Sequence, residues 1–227
     1  MPATIAFLQP GDRVPNPDQV GPHGLVAVGG DLRPATLIDA YGKGIFPWYE
    51  RAPILWFSPD PRMVLLPEEL RISRSVRRAL HRNLFEVRFD TAFDRVIAAC
   101  AAVARPEQSG TWINADMVRA YGVLHRHGYA HSCEVWRDGR LAGGLYGVSL
   151  GGAFFGESMF SLEPDASKIA FIRLVERLRD WSFALVDCQI HTDHLARFGA
   201  RELPRDRFLH SLAGALRLPT RRGSWST

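Results

Sequence analysis

Cysteine is scarce. The 227 residues hold only Cys100, Cys133 and Cys188, and no two of them form a CxxC pair. An odd, scattered trio excludes a secreted disulfide framework and a thiolate zinc site, so the three are expected to be reduced and buried. Long apolar runs are missing too, since Gly, Pro or Arg interrupts each one before the ~20 residues a membrane helix needs. The opening MPATIAFLQPGD lacks a basic region followed by an apolar stretch. No secretory leader is expected, and the predicted location is the cytoplasm, away from membranes. The histidine pairs His125-x-His127 and His191-x-x-His194 come without a carboxylate or cysteine set, so no metal site is expected. Internal repeats and low-complexity linkers are absent.

What remains is globular. At 46% hydrophobic and 23% charged residues the chain can bury a sizeable core without disulfides or metals. The formal charge of +4 is only a mild hint of an anionic partner, and its distribution says more. The stretch RISRSVRRALHR carries Arg71, Arg74, Arg77, Arg78 and Arg82 with no acid. Ser73 is suited to cap a helix over 74–83. At about 100° per residue, Arg74, Arg77, Arg78 and Arg82 then share one side, opposite Ile72, Val76, Ala79 and Leu80. Such a stripe suits a solvated face or a row of phosphates.

The first thirty residues, rich in Gly, Pro and Asp, read as an irregular arm. Asp31 is placed as an N-cap, with Pro34 in the first turn of a short helix reaching Gly42. The proline-rich, aromatic-rich segment 44–67 predicts irregular chain or short strand pairs, a composition that suits a ligand wall. Helices are predicted over 91–104 and 115–128. Strands follow at 132–136, 140–150 and 153–156, joined by Asp138-Gly139 and Gly151-Gly152 turns. A helix at 166–180, a strand at 183–189 and helices at 193–198 and 205–216 complete the order. The length fits one large domain, or a small one plus a medium one, and the order of strands and helices from residue 132 onward predicts an α/β acyltransferase-like sheet for the C-terminal half.

Two segments can carry chemistry. In FALVDCQ the two-residue period puts Asp187 and Gln189 on one face and Cys188 on the other, at a strand end where open α/β sheets place ligands. The plainer alternative is an aspartate capping the next turn. In GESMF, Gly156 permits close approach, Glu157 supplies a negative group, and Met159 and Phe160 suit an apolar wall, unless the segment is simply a strand end with a solvated glutamate. Trp48 and Trp112 sit in the loops FPW and GTWI, where an indole can stack on a base.

Taken in order, GLVAVGGDLRP, AYGKGIFPW, ILWFSPDPR, ISRS, GTWI, AHSCEVW, GGLYGVSLG, FFGESMFS, ASK, DCQ and FGARELPR resemble the leucyl/phenylalanyl-tRNA protein transferase family over residues 25–209. The resemblance implies an α+β or α/β fold, with a small N-terminal domain over 1–62 and a GCN5-related N-acetyltransferase-like (GNAT) catalytic domain over 63–227 whose central mixed sheet is flanked by helices. It implies transfer of Leu or Phe, and less so Met, from aminoacyl-tRNA to the α-amine of proteins beginning with Arg or Lys, in N-end rule degradation. Arg74, Arg77, Arg78 and Arg82 would grip tRNA phosphates, while Trp48, Trp112 and Gly156 would meet the terminal adenosine. Leu145, Phe154, Met159, Phe171, Leu174, Leu178 and Val186 would form the aminoacyl side-chain pocket. Asp187 would polarise and orient Gln189 to hold the reacting groups, and Glu157 would hold the acceptor amine. No cofactor is implied, and a monomer is expected. Thr192 stands where many relatives have Asn, Leu145 replaces a frequent Met, and Asp165 precedes ASK where Asn is common. The alternative within the same fold is an acyl-CoA-dependent N-acyltransferase. That reading is disfavoured because ESMFSLEPDASKI contains no glycine to cradle a pyrophosphate.

Overall fold

Short strands between glycine and proline turns build the first sheet. The computed structural model describes residues 5–17, 20–21, 23–103 and 112–226. Strands β1 (Ala6–Leu8), β2 (Leu25–Gly29), β3 (Phe46–Pro47) and β4 (Leu55–Phe57) form a four-stranded sheet in the order β1-β2-β4-β3. The expected irregular arm therefore holds two strands, each too short for alternation to register in the sequence. Helix α1 (Pro34–Gly42) links β2 to β3 and opens on proline, but Arg33, not Asp31, takes the N-cap position. The Asp31 carboxylate instead accepts hydrogen bonds from the Gly11 and Arg33 backbone N–H groups and the Thr36 hydroxyl. It fastens the arm to the helix.

Arg62 opens the second sheet. In chain order come β5 (Arg62–Leu65), α2 (Arg74–His81), β6 (Glu86–Phe89), α3 (Phe93–Ala102), α4 (Ala115–Arg126), β7 (Ala130–Arg137), β8 (Arg140–Leu150), β9 (Ala153–Ser161), α5 (Ala166–Asp180), β10 (Leu185–Gln189), α6 (Asp193–Ala196), β11 (Arg201–Leu203) and α7 (Arg205–Ala215). The seven strands lie in the order β11-β5-β10-β9-β8-β7-β6. Every neighbouring pair in this sheet is antiparallel except β9 and β10, which run parallel and are bridged by α5. This mixed sheet with flanking helices agrees with the expected fold class.

Local signals place most elements. Ser73 caps α2 by accepting from the Val76 N–H, and the helix ends at His81 with Arg82 as its C-cap. Asp138 and Gly139 both take positive φ, +49° and +72°, in the tight β7–β8 turn. Strand β9, expected to end at Gly156, continues to Ser161, so GESMF lies inside it. Edge strands β6 and β11 lie outside the expected set, being only four and three residues long and strongly charged. Residue Ala104, the expected end of the third helix, lies outside the described residues.

Two apolar clusters cover the large sheet. One gathers Val26, Leu37 and Tyr41 of the small unit with Val96, Tyr121 and Leu150 of the larger one, so the two units share a core. The other holds Leu65, Val135, Leu145, Phe154 and the apolar face of α5. The segment following α7 returns to this second cluster and buries Trp225. Among the described residues no helix is long and apolar enough to cross a membrane.

Candidate active site

A cavity of about 520 Å³ opens beside the parallel pair β9 and β10. Its apolar wall is Leu145, Phe154, Met159, Phe171, Leu174 and Val186. Leu178 does not belong to that wall. It is fully buried in the second core cluster, on α5 one turn beyond Leu174 and away from the cavity lining. Trp48, Trp112 and Gly156 line the same cavity, joined by Phe46 of β3. Gly110 and Thr111, the start of the GTWI loop, lie outside the described residues.

The polar part of the cavity rests on a buried ion pair. The Arg62 guanidinium donates to Asp187 through Nε at 2.8 Å and Nη2 at 2.6 Å, and both side chains are fully buried. The guanidinium also lies 4.8 Å from the Phe46 ring centroid and 4.6 Å from that of Phe208. Asp187 Oδ1 accepts a further hydrogen bond, at 2.9 Å, from the backbone N–H of Gln189. There the pairing with β5 slips by a residue, and Gln189 takes a φ of +63°, a region that non-glycine residues rarely occupy. Strict alternation therefore fails. Cys188, expected on the far face, also lines the cavity, and burial followed by the Asp187 charge pushes its thiol up, away from the reactive thiolate.

The strand-end bulge turns Gln189 towards Glu157. Gln189 Nε2 donates to Glu157 Oε1 at 2.9 Å, Tyr41 donates to the same oxygen at 2.7 Å, and Tyr121 donates to Oε2 at 3.1 Å. The two tyrosine hydroxyls also touch each other. Asp187, expected to polarise and orient Gln189, thus holds that residue by its backbone N–H. Burial raises the Glu157 pKa to about 7; the two tyrosines and Gln189 oppose the rise, and the Asp187 charge adds to it. Both phenols are pushed well above their ordinary value, first by burial and then by the Glu157 charge, so they remain donors.

Helical period classes Tyr41 and Tyr121 as core positions and says nothing of where their hydroxyls end. Arg62 is absent from the expected site residues, although the sequence carries a signal for it: a charged residue opening the apolar strand RMVL must find a buried partner. Thr192, one of the departures from relatives, accepts from the Leu195 N–H and caps α6. Arg74, Arg77, Arg78 and Arg82 are exposed, and none is ion-paired with a described residue. Their helix α2 packs on α5, the helix that supplies Phe171 and Leu174 to the cavity. Among the described residues no three His, Cys, Asp or Glu side chains cluster as a metal site would require.

An apolar pocket that ends in a buried, titratable carboxylate beside an amide can seat an acyl side chain while presenting an amine to it. Such a layout suits acyl-group transfer. The family model for leucyl/phenylalanyl-tRNA protein transferase matches residues 64–213, and that for its N-terminal domain matches 30–60. The leucyl/phenylalanyl-tRNA–protein transferase of Myxococcus xanthus (strain DK1622) is 59% identical over 213 residues, covering 93% of this chain and 91% of that protein. The one from Syntrophus aciditrophicus (strain SB) is 57% identical over 205 residues, 90% of this chain and 86% of that protein. Solved structures resemble the chain more distantly. A GCN5-related N-acetyltransferase from Kribbella flavida aligns with a TM-score of 0.35 at 10% identity, over 79% of this chain and 63% of that one. The chain belongs to the leucyl/phenylalanyl-tRNA protein transferase family. It is an aminoacyltransferase with an aminoacyl-tRNA donor and a protein acceptor.

Replacing Arg62 by Ala strands the Asp187 charge in the interior. The expected loss is about 3–5 kcal/mol of unfolding free energy in denaturant titration. A loss below about 1 kcal/mol would contradict the burial and geometry of the pair.

Proposed function

We propose that this chain transfers leucine or phenylalanine, and less readily methionine, from charged tRNA to the α-amine of proteins that begin with arginine or lysine. That step marks them for degradation under the N-end rule. The observation that carries the reading is Glu157, a carboxylate with a pKa of about 7 beside an apolar cavity, held by Gln189, Tyr41 and Tyr121.

The donor ester is already activated, so the work is positioning and proton transfer. The aminoacyl side chain occupies the wall of Leu145, Phe154, Met159, Phe171, Leu174 and Val186, while the terminal adenosine stacks at Trp48 and Trp112 beside Gly156. Met159 gives that wall the flexibility to take both a branched and an aromatic side chain. The acceptor arrives as an α-ammonium, with an ordinary pKa of about 7.7–8.0. Ionised Glu157 removes one of its protons, and the neutral amine attacks the ester carbonyl. Collapse of the tetrahedral adduct forms the peptide bond and breaks the bond to the ribose oxygen, which leaves with the second amine proton. Asp187, already engaged by Arg62 and the Gln189 N–H, keeps Gln189 aimed at the reacting groups.

The donor tRNA lies along α2. Four arginines on one exposed face bind phosphates without reading sequence, which suits an enzyme that accepts more than one tRNA.

Incubation with radiolabelled leucyl-tRNA should label a peptide with N-terminal Arg and leave its N-acetylated twin unlabelled. Transfer to neither peptide, with tRNA still bound, would reduce the chain to a binding module. In the same assay kcat/KM should rise with pH through about 7 as Glu157 ionises. Glu157→Gln should remove that rise and lower the rate by about 10²-fold, leaving only the titration of the amine itself. Four phosphate contacts predict a log–log salt slope for tRNA binding of about −3 to −3.5, which Arg77→Ala should flatten by nearly one unit. An unchanged slope would move the tRNA to another face.

A further inference from the structure

Phe154 of the cavity wall has neighbours that restrict its ring. Its ring lies over Gly147 of β8: a Cβ added there would stand 2.5 Å from Phe154 Cζ and 2.6 Å from Cε1. Only glycine leaves that space. Near the same ring stands the Trp225 indole, 6.0 Å from it between centroids, yet Trp225 is absent from the cavity lining.

Trp225 is itself locked from several directions. Its ring stacks on His131 at 3.7 Å with the planes 5° apart, and Trp181 meets it edge-on at 5.0 Å. Its backbone N–H donates to Asp90 at 2.8 Å, its carbonyl accepts from Arg177 Nη1 at 2.7 Å, and its indole N–H donates to the Arg221 carbonyl at 3.2 Å. Asp90 also binds His131 Nδ1 at 2.8 Å, so backbone and ring of the tryptophan are fixed through one carboxylate. At 2% exposure the indole is part of the interior, although it belongs to the segment that returns after α7.

We infer that Trp225 is a specificity-positioning residue: it buttresses the Phe154 ring and thereby sets the size of the side-chain pocket, and with it the preference between leucine and phenylalanine. The inference rests on the apolar cavity being the aminoacyl pocket. A close-packed interior lets Phe154 neither retreat nor tilt while the indole is in place. Removing the indole opens a void behind the wall, and the ring relaxes into it. The pocket deepens, which favours the longer aromatic side chain over leucine. A single methylene in an apolar pocket is worth about tenfold to two-hundredfold in discrimination, so even a partial shift of the wall is measurable.

The test compares leucyl-tRNA and phenylalanyl-tRNA as donors to one Arg-initiated peptide. Because both are read on the same preparation, a smaller folded fraction cancels from the ratio of their kcat/KM values. In Trp225→Ala the leucine-to-phenylalanine ratio should fall by about threefold or more relative to wild type, and Trp225→Phe should restore most of it. Should the alanine variant fail to fold, Trp225→Leu poses the same question with a smaller void. A ratio unchanged in a folded variant, with kcat and KM altered equally for both donors, overturns the inference and leaves the pocket assignment standing. Wild-type protein that transfers neither amino acid overturns both.

Discussion

The Arg62–Asp187 ion pair is the joint on which the rest of the site hangs. Both groups are withdrawn from water, a cost that only close, two-point geometry and further hydrogen bonds can offset. The pair has that two-point geometry, Asp187 gains a further bond from the Gln189 N–H, and the guanidinium is covered by two aromatic rings. The pair connects four parts of the fold. Arg62 opens β5 at the border of the two sheets, Asp187 lies on β10, Phe46 comes from β3, and Phe208 comes from α7. From Asp187 the constraint passes to the Gln189 backbone, held at positive φ, and from the Gln189 amide to Glu157. A charge pair at the edge of the cavity thus fixes the Gln189 backbone and, through the Gln189 amide, the surroundings of Glu157.

Two carboxylates share the cavity and stand in different electrostatic surroundings. Asp187 faces a guanidinium and a backbone N–H. Among the described residues Glu157 is hydrogen-bonded by neutral donors, two phenols and an amide, so no opposite charge offsets its burial and its pKa climbs to about 7. The arrangement has a stability cost with a definite sign. A carboxyl whose folded pKa lies above its ordinary 4.5 binds more protons folded than unfolded, so its contribution to stability falls as pH rises from about 4.5 to about 7. Tolerated strain and desolvation of this kind gather where chemistry is done.

Features written in local chemistry are legible in the sequence. Ser73 as a cap, Asp138-Gly139 as a two-residue turn and the span of α5 depend on residues within a few positions of one another. The residues that the family resemblance groups as one apolar wall do meet at one cavity, apart from Leu178, which lies in the core. What stays hidden is long-range. The bulge after Asp187 arises from pairing with β5, over a hundred residues earlier, and it brings Cys188 to a face that alternation denies it. Tyr41 and Tyr121 reach Glu157 only because α1 and α4 pack against one another over the large sheet, and nothing within either helix signals that meeting. The charge within RMVL is a readable sign of a buried partner, though not of which one.

The protonation of Glu157 is the most direct measure of whether this network prepares an amine for attack. Infrared difference titration of the protein against its Glu157→Gln variant isolates the carbonyl stretch of that one protonated carboxyl. A midpoint near pH 7 is the predicted result, and it would show a buried carboxylate able to exchange a proton with an α-ammonium at physiological pH. A midpoint near the ordinary 4.5 would mean that water or a further cation reaches Glu157, and the account of a dry, neutral-donor cradle would be wrong.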